Sequence, residues 1–188
     1  MSVRLPARLE LLTHPAAAAG VVGRIGVEVD RAADGTLLLA YTLAHDGRLR
    51  VPPAALPGPA DGLWAHTCCE AFVAVAGEPG YREFNFSPSG QWAVYDFADY
   101  RERIDAIAPP ATPLIESDAA CDRLQLAARI PAALLPAAAP GRLLMLGLTA
   151  VAEDADGRLQ YWALRHPAPR PDFHDRRGFA LAFAPERP

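Results

Sequence analysis

Residues 70–97 read EAFVAVAGEPGYREFNFSPSGQWAVYDF, three short apolar segments separated by the turn sequences EPG and SPSG. In the middle segment, Phe84 and Phe86 share one face and alternate with polar residues, which is the two-residue period of a β-strand. The connections are short, which favours antiparallel pairing. We therefore predict a meander of three strands, Glu70–Val75, Tyr81–Phe86 and Gln91–Phe97.

The same period recurs on both sides of this meander. Upstream, residues 25–29 and 37–43 alternate around Asp34-Gly35 and predict a hairpin. Further strands are predicted downstream at residues 123–130, 143–151, 159–164 and 179–183. The second of these is apolar throughout, so we expect both of its faces to be covered. Asp99–Ala108 is the one helix candidate. About nine short strands with one short helix predict an all-β fold, an antiparallel β-sandwich of the immunoglobulin-like or jelly-roll type.

The chain shows no internal repeat and no domain boundary, so residues 1–188 are interpreted as a single domain. Cys68 and Cys69 would point to opposite faces of a strand, which makes them a poor disulfide. We expect these two and Cys121 to be buried reduced thiols. Reduced thiols, and an N-terminus that does not resemble a signal peptide, predict a cytoplasmic location.

Charge and composition exclude several functions. The formal net charge is −4 without a strongly basic patch, so no nucleic-acid partner is expected. All 18 basic residues are Arg, which excludes a lysine Schiff base and a phosphate-binding loop ending in Gly-Lys. The longest apolar runs are far shorter than a membrane span, so no membrane partner is expected either.

Residues 165–177, RHPAPRPDFHDRR, combine two His, two Asp and four Arg with prolines that stiffen the chain. Such a segment could bind metal, move protons or grip hydroxyl groups. Its polar side chains could equally tie a long loop to the edge of the sheet. Trp64, Trp92 and Trp162 present a similar choice, because an indole can stack on a sugar ring or pack in the core.

Two polar residues, Glu70 and Asn85, interrupt apolar strands. Each needs a hydrogen-bond partner if it is buried, or else it faces a ligand. Glu70 and Glu83 could also form the carboxylate pair of a glycoside hydrolase, although sequence alone gives no separation between them.

Two blocks of sequence carry a resemblance to a known family. The first is LWAHTCCEAF at residues 63–72 with YREFNFSPSGQW at 81–92, and the second is YWALRHP at 161–167 with PDFHDR at 171–176. Together they resemble the DOMON-like proteins, which are similar to the family-nine carbohydrate-binding modules. The resemblance spans about residues 37–183 and implies a ligand-binding β-sandwich, with sugar and haem as the ligand classes.

The sugar alternative implies aromatic faces that hold the ring and polar groups that hold its hydroxyls. The candidate ligand-binding residues are Trp64, Glu70, Asn85, Trp92, Tyr161, Trp162, His166, Asp172, His174 and Arg176. The haem alternative requires axial ligands. The candidates for that role are Met145, His66, His166 and His174.

The sequence thus predicts a non-catalytic module that binds a sugar or sugar-like metabolite without a cofactor. A haem-binding redox or sensor domain is the first alternative. A structural or protein-interaction domain, with homodimerisation through edge strands, is the second. An enzyme that uses Glu70 or Glu83, or Asp172 with His174 as acid and base, is the third.

Overall fold

The computed structural model describes residues 5–17, 20–105 and 109–184, and within these ranges the chain is almost entirely β-structure. The thirteen strands are β1 Ala7–Thr13, β2 Val22–Arg31, β3 Leu37–His45, β4 Gly58–Pro59, β5 Cys68–Val75, β6 Tyr81–Phe86, β7 Gln91–Asp99, β8 Glu102–Arg103, β9 Leu114–Ala119, β10 Arg123–Ile130, β11 Leu144–Glu153, β12 Leu159–Ala163 and β13 Leu181–Phe183. The helical elements of the same ranges are single 3-10 turns at Leu63–Ala65, Ala132–Leu134 and Arg176–Gly178. None of these turns has the length or apolar character needed to cross a bilayer.

The strands form one curled sheet in the order β4-β7-β6-β5-β11-β12-β1-β2-β3-β10-β9, with β8 paired to β7 and β13 paired to β11. All pairings are antiparallel except that of β4 with β7. Strand β1 joins the two halves of the sheet, because Leu12 and Thr13 pair with β12 while Ala7–Leu11 pair with β2. The β5 half, as we call it, consists of β4, β7, β6, β5, β11 and β12, together with β8 and β13. The β3 half consists of β2, β3, β10 and β9.

The main core draws buried side chains from both halves. Ile25 and Leu39 enter it from the β3 half, and Phe84 and Leu146 enter it from the β5 half. Tyr41 on β3 also donates a 2.8 Å hydrogen bond to the backbone oxygen of Glu70 on β5. Each large apolar side chain buried here contributes about 1.5–3 kcal/mol, so the packing of the two halves against each other stabilises the curled sheet.

The β5 half has a second covered face. A smaller buried cluster lies there, formed by Phe72, Ala74, Tyr81, Ala93, Tyr95, Phe97 and Phe179. Gly147 on β11 allows Phe179 to pack closely on this face of the sheet, since a Cβ at position 147 would lie 2.9 Å from the Phe179 ring. The prediction that residues 143–151 form a strand covered on both sides is therefore confirmed.

The helix predicted at Asp99–Ala108 is wrong over its described part, and residues 106–108 lie outside the described residues. Strand β7 continues through Asp99, the chain reverses, and Phe97 pairs with Arg103 on β8. Arg101 makes this reversal with a φ of 56°, in the left-handed region. The weak apolar spacing of this segment was outweighed by backbone pairing with the sheet edge.

The sequence predicts about nine strands, whereas thirteen are present among the described residues. The four additional strands are β1, β4, β8 and β9. Strands β4 and β8 have two residues each, and β9 is an edge strand in which only Ile115 is partly buried. Hydrophobic alternation reports burial, so strands with few buried side chains give little signal in the sequence.

The cysteine prediction is confirmed in part. Cys68 and Cys69 are buried free thiols on β5, as expected. Cys121 is an exposed free thiol in the turn between β9 and β10, where no strand covers it.

Candidate functional site

A pocket of about 440 Å³ lies on the outer face of the β5 half, the face turned away from the main core. Six strands of this half, one 3-10 turn and the loop after β12 contribute to it. The lining residues are Trp64, Glu70, Phe72, Glu83, Tyr95, Phe97, Arg101, Arg103, Val151, Leu159, Tyr161, Pro171, Phe173 and His174. The pocket therefore combines aromatic walls with a small number of ionisable groups, a composition typical of small-molecule sites.

Two glutamates reach the pocket from adjacent strands. Glu70 on β5 lies opposite Asn85 on β6 in the sheet register, and Glu83 on β6 lies opposite Phe72 on β5. The two glutamates are thus diagonal neighbours on one face, a placement whose Cα atoms lie about 7–8 Å apart and whose side chains can interact. Their exposed fractions are 2% for Glu70 and 5% for Glu83, so both carboxyls are at the floor of the pocket.

Each glutamate has one strong neutral hydrogen bond. The hydroxyl of Thr149 donates to Glu70 Oε2 at 2.8 Å, and the side-chain amide of Asn85 donates to Glu83 Oε1 at 2.6 Å. Because Thr149 lies opposite Glu70 on β11, these four residues form a connected polar group across three strands.

Burial raises the pKa of both carboxyls. For Glu70, loss of solvent is the largest cause and the negative charge of Glu83 adds to it, while the Thr149 hydrogen bond opposes them. For Glu83, burial again raises the pKa, but the hydrogen bond from Asn85 and the charges of Arg101 and Arg103 lower it. Nearby cations lower the pKa of Glu83 but not that of Glu70, so Glu70 is the member of the pair that keeps a proton.

His174 is held in one tautomer beside this pair. The backbone N–H of Arg101 donates to the Tyr81 hydroxyl at 3.1 Å, which leaves the hydroxyl hydrogen free to reach His174 Nδ1 at 2.8 Å. His174 Nε2 then carries the ring proton and lies 3.8 Å from Glu83 Oε2. Burial, with the charge of Arg101, lowers the pKa of His174 to about 4, so the ring is neutral at pH 7.

Two arginines stand at the rim of the pocket. The guanidinium of Arg101 donates to Asp172 Oδ1 at 2.9 Å, and the Arg103 guanidinium lies 4.1 Å from the centre of the Tyr95 ring. Arg101 is also the only non-glycine residue with positive φ in the described ranges. Such a backbone costs of order 1–3 kcal/mol and occurs preferentially at functional sites.

The mouth of the pocket is aromatic. Trp64, on the first 3-10 turn, is 55% exposed, which is unusual for the largest apolar side chain. Tyr161 on β12 packs edge-on against Phe173 of the following loop, with ring centres 6.0 Å apart. These rings provide flat faces for an apolar surface, and the carboxyls, His174 and arginines provide hydrogen bonds of both kinds.

Of the ten predicted ligand-binding residues, the structure brings four into the lining, Trp64, Glu70, Tyr161 and His174. Two more contact lining residues, because Asn85 binds Glu83 and Asp172 binds Arg101. The other four have different surroundings, and the set as a whole stays a prediction.

Those four residues are tied into the fold. Trp162 belongs to the main core, and Trp92 lines a separate cavity beside β4 and β7. His166 Nε2 donates a 2.8 Å hydrogen bond to the Leu12 backbone oxygen, and its ring packs against His14. Arg176 donates to three consecutive backbone oxygens, those of residues 78–80, and so anchors the loop after β12 to the turn between β5 and β6.

Sequence reasoning missed Tyr95, Phe97, Arg101 and Arg103 as pocket residues. The two arginines were hidden by the incorrect helix prediction. The aromatic pair could have been found, because Tyr95 is paired with Glu83 and shares its face at the strand period of two.

The proposed haem ligands have separate partners. His66 Nδ1 lies 2.8 Å from Glu153 Oε2, and Met145 packs against the smaller cluster. Among the described residues, no three His, Cys, Asp or Glu side chains are grouped as ligands of a metal ion would be. Haem binding stays a prediction.

Comparison with known proteins relates the fold to solved structures. No protein-family model and no curated protein matches the sequence. A proposed carbohydrate-binding protein from Bacteroides uniformis matches with a TM-score of 0.73 and 16% identity, covering 95% of this chain and 86% of that one. A family-nine carbohydrate-binding module from Caldicellulosiruptor kristjanssonii, in complex with glucose, matches with a TM-score of 0.54 and 11% identity, covering 83% and 74%. The chain has the fold of these proteins.

The same module in complex with cellotriose matches with a TM-score of 0.54 and 11% identity, covering 83% of this chain and 72% of that one. The resemblance to carbohydrate-binding modules is therefore confirmed at the level of the fold. The finer resemblance to DOMON-like proteins stays a prediction.

Proposed function

We propose that this protein is a non-catalytic module that binds a sugar or sugar-like metabolite in the pocket on the outer face of the β5 half. The observation that carries the proposal is the pocket itself, in which the exposed Trp64 at the mouth accompanies a buried polar floor. The likeness to sugar-bound modules supports the ligand class, as does the resemblance of the sequence blocks.

The lining suits the two surfaces of a pyranose ring. The C–H face of the ring stacks on Trp64 or Tyr161 and sheds water as it does so. One ring hydroxyl bridges the 3.8 Å gap between His174 Nε2 and Glu83 Oε2, where the histidine donates and the carboxylate accepts. These groups are held in place before the ligand arrives, which lowers the entropy lost on binding.

We interpret the β5 and β3 halves as the two layers of an immunoglobulin-like or jelly-roll sandwich of the DOMON-like type. Binding requires no cofactor in this proposal, and haem, homodimerisation and a cytoplasmic location stay predictions.

The test is calorimetric titration of the protein with glucose and cellotriose, followed in parallel by tryptophan fluorescence. Trp92 and Trp162 are buried, so a sugar that stacks on Trp64 changes the emission of the one exposed indole. We expect Trp64→Ala to weaken binding at least tenfold. Leu12→Ala is the matched control, since Leu12 is 59% exposed and does not line the pocket, and it should leave affinity unchanged.

A panel of neutral, acidic and amino sugars that produces neither heat nor a fluorescence change would refute the proposal. In that event haemin is the next ligand to titrate. A Soret band that disappears in His166→Ala or His174→Ala would then establish the haem alternative.

A further inference from the structure

The two carboxyls at the pocket floor, those of Glu70 and Glu83, do not have hydrogen bonds to all of their oxygens. Glu70 Oε2 is bound by Thr149 and Glu83 Oε1 is bound by Asn85. Within the described part of the chain, Glu70 Oε1 has no hydrogen bond, and the nearest donor to Glu83 Oε2 is His174 Nε2 at 3.8 Å. Neither oxygen is sealed in protein, because both residues line the pocket. Two carboxyl oxygens, on side chains more than nine-tenths buried, therefore face the pocket with capacity to accept hydrogen bonds.

The cations nearby do not form ion pairs with this carboxyl pair. Arg101 is bound to Asp172 at 2.9 Å, and Arg103 stacks on Tyr95 and lies 3.9 Å from Asp61. His174 is neutral at pH 7. Each of the two arginines at the rim is thus close to an aspartate. The floor contains two acids and, among the described residues, no cation within ion-pair distance of them. Two ionised carboxylates buried together without a positive partner are unfavourable, which is why Glu70 keeps its proton and why the floor favours a positively charged group.

The walls around the floor favour the same kind of group. Phe72, Tyr95, Phe97 and Tyr161 line the pocket with Trp64 and Phe173. Aromatic faces are electron-rich and attract ammonium groups, most strongly where water is excluded. A neutral hexose can stack on the aromatic faces and donate a hydroxyl to a carboxyl, but it carries no charge that would balance two adjacent buried acids.

We propose that the ligand is an amino sugar with a free ammonium group, and that this ammonium binds between the unpaired oxygens of Glu70 and Glu83. The inference rests on the sugar-binding function proposed above and specifies its ligand class. The ammonium donates one hydrogen bond to Glu70 Oε1 and one to Glu83 Oε2. Glu70 releases its proton to solvent as the ammonium arrives, so that one proton leaves for each ligand bound near neutral pH.

The test is calorimetric titration of the full chain at pH 6.5 with glucosamine, glucose and N-acetylglucosamine. These probes share the pyranose ring and differ in the substituent at one position, which is charged only in glucosamine. We expect glucosamine to bind at least tenfold more tightly than the other two. Repeating the titration in two buffers of different ionisation enthalpy should reveal the released proton.

Glu70→Gln and Glu83→Gln identify the residues responsible. Each substitution keeps the size of the side chain, and each should lower the affinity for glucosamine at least tenfold, a larger loss than for glucose, which has no ammonium group to pair with the lost charge. Glu116→Gln on the exposed strand β9 is the matched control, because Glu116 lies outside this pocket. Thermal unfolding of each variant confirms that the fold is intact.

A fourth probe separates this inference from the proposed function. Cyclohexylammonium has the charge and ring size of glucosamine but no hydroxyl groups. If glucose binds as tightly as glucosamine, the ammonium site is overturned and sugar binding stands. If cyclohexylammonium binds through Glu70 and Glu83 while no sugar binds, the ammonium site stands and the sugar function is overturned. If none of the four probes binds, the ammonium site is overturned, and the titrations with cellotriose and acidic sugars decide the sugar function.

Discussion

The two faces of strand β6 are made from alternate residues of one short sequence, yet they have different roles. Phe84 and Phe86 point into the main core and are fully buried among apolar side chains. Tyr81 and Glu83, their neighbours, lie on the pocket face and enter hydrogen-bonded contacts. The inner face stabilises the fold by close packing, whereas the outer face places polar groups where packing alone would not favour them. Substitutions on the inner face should therefore change stability, and those on the outer face should change binding.

The largest effect is expected from the inner face. Phe84→Ala removes a ring with 0% exposure and leaves a cavity between the two halves of the sheet. We expect the free energy of unfolding to fall by about 3–5 kcal/mol, measured by urea denaturation. Glu83→Gln, one residue away on the outer face, should change it by less than about 1 kcal/mol. Equal losses from the two variants would contradict the division between the faces.

Gly147→Ala tests how closely the loop after β12 covers the outer face. The added Cβ would lie 2.9 Å from the Phe179 ring, closer than side-chain carbons approach one another. Overpacking of this kind should destabilise the protein by about 1–3 kcal/mol in the same denaturation experiment. Gly23→Ala is the control, because nothing lies within 4 Å of its Cβ position. An unchanged stability for Gly147→Ala would show that the cover is loosely packed.

The pH dependence of stability sharpens the comparison on the outer face. The pKa of Glu70 is raised on folding, so its contribution to stability is complete below the ordinary value of 4.5 and is lost as pH rises toward the folded pKa. Glu70→Gln has no proton to lose, so it should be nearly as stable as the natural protein at pH 4 and more stable at pH 8, with the difference growing by up to about 1.4 kcal/mol for each pH unit between the unfolded and folded pKa values.

The difference between the two proteins isolates Glu70, although Glu83 and His174 titrate in the same pocket. Urea denaturation at pH 4, 6 and 8 measures it. A constant difference across this range would mean that Glu70 is not the group that holds the proton.

The smallest effect on stability is expected from Trp64, which should nevertheless have a large effect on binding. Its side chain is 55% exposed, so Trp64→Ala removes little buried surface. We expect the free energy of unfolding, measured by urea denaturation, to change by less than about 0.5 kcal/mol. A loss comparable to that of Phe84→Ala would identify Trp64 as a packing residue and weaken the proposed function.

Much of the fold was predictable where strands are buried on at least one face. Tyr81–Phe86 and residues 123–130 form strands with the predicted bounds, and the placement of Phe84 and Phe86 opposite Glu83 is confirmed. The segment around Arg101 was not predictable, because its strand β8 exists only through pairing with β7. The curled form of the sheet depends likewise on Leu12 and Thr13 pairing with a strand far along the chain.

The sequence by itself determined the class of the fold and the types of residue available for a site. It did so because period-two alternation, turn residues and composition are local properties that survive without a partner. Only the tertiary structure decided that Glu70, Glu83 and His174 meet in one pocket while Trp92, Trp162 and His166 lie elsewhere. The physical reason is strand register, since the order and alignment of strands distant in sequence determine which side chains share one face.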